Sequence, residues 1–101
     1  MIVKARRVTI TNDVGGTTEV DGPFKVKVTA RYIDDEIGAV VHGQLVDEKD
    51  ITKARKAGTT GYGPEDYRQY GAKAEAEVVQ ARKLFNPSKV YMIGSDCTPV
   101  S

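Results

Sequence analysis

The chain has 101 residues, 40% of them apolar, and its 15 Lys and Arg nearly cancel its 14 Asp and Glu to leave a net charge of +1. That length supports one hydrophobic core and no second domain, and the balance of charge excludes a molecule-wide field of the kind that draws histone-like proteins to nucleic acid, so any electrostatic recognition is local. The single cysteine cannot close an internal disulfide, no run approaches the roughly 20 apolar residues of a membrane-spanning helix, and the opening "MIVKARRVTITN" lacks the charged-then-apolar order of a secretory signal. The expectation is an intracellular, cytoplasmic protein with no membrane partner, folded as a single domain over residues 1–101.

In chain order, "IVKARRVTITN" reads as a strand with Val8 and Ile10 on one face, and its alternation slips at Arg6 and Arg7 as a bulge would make it slip. Residues 13–23 collect Gly15, Gly16, Gly22 and Pro23 and read as a mobile loop or irregular hairpin tip. "FKVKVTARYI" has a clear period of two, with Phe24, Val26, Val28, Ala30 and Tyr32 on one face and Lys25, Lys27, Thr29 and Arg31 on the other. The segment from Ile37 to Val46 is apolar on both parities and rich in valine, as a central strand is. The acidic connection Asp34 to Glu36 suits an antiparallel hairpin between these two strands.

A short helix follows in "DEKDITKARKAG", where Asp50 can cap, Ile51 and Ala54 give a narrow apolar side, and Gly58 can close the end. A longer helix is expected from Tyr67 through Ala74, Val78 and Ala81 to Phe85, lying across the sheet until Asn86 and Pro87 stop it. "KVYMIG" adds a last strand, and residues 95–101 read as a frayed tail. The sum is a two-layer α+β domain: a mainly antiparallel sheet of about four strands, in the order β-β-β-α-α-β, with one long helix packed on one face. Three antiparallel strands followed by "GAKAEAEVVQARKLF" resemble the strand-and-helix half of a double-stranded-RNA-binding domain, over less than half of the chain. The first helix of that family is absent, and its dense lysine cluster is reduced here to Lys73, with Glu75 and Glu77 close by.

The glycine-rich stretch at 58–63 invites comparison with a phosphate cradle, which needs a free helix N-terminus behind it. Pro64 removes one donor there, while Glu65 and Asp66 put two carboxylates on the first turn, so the stretch reads as a hinge. His42 stands alone in the most apolar strand, and Ser88, Ser95 and Ser101 have no nucleophile-elbow context. Cys97 lies beside Asp96, whose charge raises a thiol pKa, and one histidine with one cysteine builds no structural zinc site. Neither acidic run matches a calcium loop.

The pattern points to a small non-enzymatic protein-interaction module, an adaptor, inhibitor or subunit of a larger assembly, without cofactor or metal. Its expected partner-binding residues are Tyr62, Tyr67, Tyr70 and Arg68, because tyrosine joins apolar area to a polar tip; the spacing of Tyr67 and Tyr70 also suits the head of a core stripe. The alternative is RNA or DNA binding through a basic sheet face of Lys4, Arg6, Arg7, Lys25, Lys27 and Arg31, aided by Lys53, Arg55 and Lys56. That alternative lacks a stacking platform, since Tyr32 is expected to point inward with Phe24. A third and least favoured option is a small-ligand binder or enzyme using His42. An edge strand leaves the chain able to pair with a second copy.

Overall fold

Alternation of apolar and polar residues carries through into five strands in the computed structural model, which describes residues 1–100: β1 (Ile2–Thr11), β2 (Thr17–Asp34), β3 (Gly38–Leu45), β4 (Lys89–Ile93) and β5 (Cys97–Pro99). Helices α1 (Glu48–Gly58) and α2 (Ala72–Leu84) lie between β3 and β4, and 3₁₀ turns occupy Pro64–Tyr70 and Gly94–Asp96. The fold is α+β, an antiparallel sheet with helices against it. Among the described residues no helix is long and apolar enough to cross a membrane.

The sheet is antiparallel as expected, with five strands instead of about four. β1 pairs with β2, β2 with β3 and β3 with β4, and β4 returns to β1 through Thr9 and Ile10, so the ladder closes on itself. Closure gives one inside, where Val3, Val8 and Ile10 of β1 meet Phe24 and Val26 of β2 and Met92 of β4. β5 is a fifth strand, with Cys97, Thr98 and Pro99 paired to Ala5, Lys4 and Val3. Neither the closed ladder nor the placement of α2 continues the resemblance to a double-stranded-RNA-binding domain.

Two bulges set which residues face out. The first falls between Ala5 and Arg7, where the alternation of β1 slips, and lets both Arg6 and Arg7 point to solvent. The second falls between Val28 and Ala30. One extra residue in a strand of period two exchanges the faces of everything after it. Phe24 and Val26 are therefore inside, whereas Tyr32 is outside and 48% exposed, which corrects the expectation that the two rings share a face. Arg31 and Ile33 take the inner phase, opposite Val41 and Ala39.

The β1–β2 connection is tighter than its glycines suggest. Asn12 is buried, its Oδ1 accepts the N–H groups of Val14 (3.1 Å) and Gly16 (2.9 Å), and β2 already begins at Thr17. At the other end of β2 the acidic turn forms as its composition implies: Asp34 Oδ1 accepts from Glu36 N (2.8 Å) and Ile37 N (3.0 Å). These two N–H donors hold the Asp34 carboxyl below its ordinary pKa.

The helices exchange the roles expected of them. Short α1 is the one that reaches the core, through buried Ala54 and Gly58. A Cβ on Gly58 would come within 2.9 Å of the Phe85 ring and 3.0 Å of Ile10 Cδ1, so the glycine is there for close approach. Asp50 does not cap α1; it is buried, and its Oδ2 accepts the N–H of Lys25 at 3.2 Å, tying the helix to β2. The expected long helix is broken at Gly71, whose φ of +99° only glycine adopts readily, into the 3₁₀ turn and α2. α2 packs chiefly against that turn and buries only Val78. Its alanines leave too little apolar area for it to cover a sheet.

Candidate functional site

The outer face of β2, β3 and β4 carries a row of rings that the inward reading of Tyr32 conceals. Cross-strand register sets Ala30, His42 and Tyr91 side by side, with Tyr32, Val40 and Ile93 in the next row. The ring centroids of Tyr32 and His42 lie 5.2 Å apart, and those of His42 and Tyr91 lie 5.7 Å apart at an interplanar angle of 23°. Tyr32 Oη and His42 Nε2 share a hydrogen bond of 3.1 Å. Val40 is buried although it points away from the main core, because Tyr32, Ile37, Tyr91 and Ile93 close around it. Ile37 and Ile93 nonetheless keep 54% and 44% of their surface exposed. The result is an apolar, aromatic centre on a face that alternation usually leaves polar.

One row further along the strands, Lys27 pairs with Gln44 and Gln44 with Lys89, so two exposed cations flank the rings. Lys4 and Lys25 stand directly opposite each other on the same outer side of β1 and β2. Among the described residues no carboxylate bridges any of these four lysines.

The remaining basic candidates are paired or stand elsewhere, Arg6 lining an open hollow beside Lys4. Arg6 is held by Asp96 at 2.7 Å and Arg7 by Asp21 at 3.1 Å. Lys53 donates to the Asp21 carbonyl at 2.7 Å and sits 5.0 Å over the Phe24 ring. Arg31 is turned to the inner phase by the second bulge, and Arg55 and Lys56 are exposed in the last turn of α1, where they complement the helix dipole. The basic face expected of nine residues is thus a smaller patch of Lys4, Lys25 and Lys27, joined by Lys89.

The tyrosines after the hinge are exposed as well, but differently supported. Tyr62 and Tyr70 are 57% and 67% exposed, and Tyr67 is half-buried with its ring 6.2 Å from that of Tyr70. Tyr70 therefore does not begin a core stripe. Arg68 is exposed, 3.8 Å from Glu75. The 3₁₀ N-terminus is already occupied, since Asp66 Oδ2 accepts the Gly63 N–H at 2.7 Å, as the anion argument requires. The hinge itself is tethered: buried Asp13 accepts from Thr60 N (3.1 Å) and Thr60 Oγ1 (2.9 Å), with Arg82 3.9 Å away.

The hydrogen bond between His42 and Tyr32 orients the imidazole within the ring row. Burial, with the Asp96 charge adding to it, pushes the Cys97 thiol above its ordinary pKa. Among the described residues no three His, Cys, Asp or Glu side chains gather to hold a metal ion. The residues missed by sequence reasoning are Tyr32, Ile37, Val40, Tyr91 and Ile93, with Lys89 beside them. The signal that could have found Tyr91 and Ile93 is their shared parity, opposite to that of Val90 and Met92. No protein-family model, curated protein or solved structure matches the chain significantly.

Proposed function

We propose that the chain is a protein-interaction module that docks a partner protein on the outer face of β2, β3 and β4. The observation that carries this reading is the cluster of exposed Tyr32, Ile37 and Ile93 with half-buried Tyr91 around buried Val40, and half-buried His42 stacked beside it. Interfaces concentrate aromatic residues at a centre with few charges and place polar groups at the rim. Here Lys27, Gln44 and Lys89 border one end, Thr9 and Glu19 continue the ring row onto β1 and β2, and the Asp34 to Glu36 turn borders the other end. Rings fixed by strand register lose little freedom on binding, which favours affinity.

A second reading rests on the same rings with Lys27 and Lys89 beside them: single-stranded RNA or DNA stacked on aromatic faces and held by cations. The acidic turn at the far end favours the protein partner. Capture from native lysate, with and without nuclease and eluted at low and high salt, separates the two. Retention that survives nuclease and high salt supports the protein partner. Loss on nuclease, with affinity falling steeply in salt and falling further in Lys27→Gln with Lys89→Gln, transfers the face to nucleic acid.

A further inference from the structure

We propose that the free edge of β2 pairs antiparallel with the same edge of a second copy of this chain, forming a two-fold dimer. The edge is explicit in the hydrogen bonding. β1 begins beside Val28, whose N–H donates to the Met1 carbonyl at 2.8 Å, and past the bulge at Thr29 residues 30–34 pair on one side only, with β3. An unpaired edge is a template for another strand unless proline, lysine, a bulge or a covering loop blunts it. Residues 30–34 contain no proline and no lysine, the bulge lies before them, Arg31 is the one cation on this stretch, and Ile33 is 76% exposed beside Tyr32.

Charge makes the edge self-complementary. Its acidic end is the turn of Asp34, Asp35 and Glu36; its cationic end holds Arg31. Arg31 has the Met1 sulfur as its hydrogen-bonding partner and no bridging carboxylate among the described residues. Antiparallel pairing centred on Tyr32 places Tyr32 against its counterpart, Arg31 opposite the second copy's Ile33 and Ala30 opposite its Asp34. Each acidic turn then approaches the cationic end of the other copy, and symmetry makes the contact twice. Centring on Arg31 would oppose two guanidiniums and is disfavoured. The second copy's Ile33 comes to the rim of an open hollow of about 470 Å³ under the edge, lined by Val3, Val41, Cys97 and Pro99. Pairing also brings the two outer ring rows into one strip through Tyr32. The dimer extends the docking face without depending on it.

Sedimentation equilibrium of the full chain tests this directly. The expected result is a dimer that dissociates on dilution and weakens as salt rises. Arg31→Glu weakens it by roughly tenfold or more, as does Asp35→Lys with Glu36→Lys, and mixing the two variants restores a heterodimer. Ile33→Lys, at an exposed position, gives a monomer with unchanged circular dichroism. A wild-type chain that stays monomeric at every soluble concentration overturns the proposal, as does a dimer indifferent to both charge reversals and to Ile33→Lys.

Discussion

Two regions of this molecule expose aromatic rings, and they differ in what holds the rings in place. Tyr32, His42 and Tyr91 stand on three paired strands, fixed by register and by buried Val40 beside them. Tyr62, Tyr67 and Tyr70 stand on a loop and a 3₁₀ turn without a buried side chain, followed by a helix that buries only Val78. Composition along the chain marks the second group and passes over the first. The difference teaches that a cluster in sequence is a weaker guide to a binding surface than a cluster made by register, because only the second is organised before a partner arrives.

The comparison can be broken from either side. The largest expected effect is in the strands: Phe24→Ala, which empties a fully buried ring position, should lower unfolding stability by about 3–5 kcal/mol. The check is denaturant unfolding with Tyr70→Ala alongside, a change at an exposed ring that should stay within about 0.5 kcal/mol. If Tyr70→Ala proved as costly as Phe24→Ala, the second region would be structural and not merely displayed. A middle effect lies at the tether. Asp13→Ala removes both acceptor bonds to Thr60, and should cost about 1–2 kcal/mol while raising amide exchange across residues 59–63 and α2. Unchanged exchange there would show that the second region is held by something other than Asp13.

The smallest effect is a pH dependence at the acidic turn. The folded-state pKa of Asp34 is depressed by its two N–H donors, so its contribution to stability is present above the unfolded pKa and is lost as pH falls through the folded value. Asp34→Asn should lie below wild type at neutral pH and converge with it in acid. A gap that persists unchanged into acid would assign the turn's stability to something other than the carboxylate.

How much was legible follows from the same physics. The alternation of β1 and β2, the hairpin at Asp34 to Glu36 and the slip at Arg6 and Arg7 were readable because each breaks or keeps a local period. The second bulge was not, because the residue it adds, Thr29, is an ordinary strand former, and its effect on Tyr32 and Arg31 shows only in the pairing with β3. Closure of the ladder rests on Thr9 and Ile10 meeting Tyr91 and Val90 from the far end of the chain, which no local pattern encodes. The break at Gly71 had a signal, the glycine itself directly before the alanine run, but apolar spacing from Tyr67 to Phe85 ran through it and suggested one helix. The outer ring row was hidden for the same reason as the bulge that creates it.

The most direct measurement pairs the two regions in one binding experiment. Wild type, Tyr32→Ala with Ile93→Ser, and Tyr62→Ala with Tyr70→Ala, each shown folded by circular dichroism, are compared for retention of the nuclease-resistant partner. Docking on the strand face predicts that the first pair of changes abolishes retention and the second leaves it intact. Retention lost with Tyr62 and Tyr70 but kept without Tyr32 and Ile93 would contradict it and return the binding surface to the hinge.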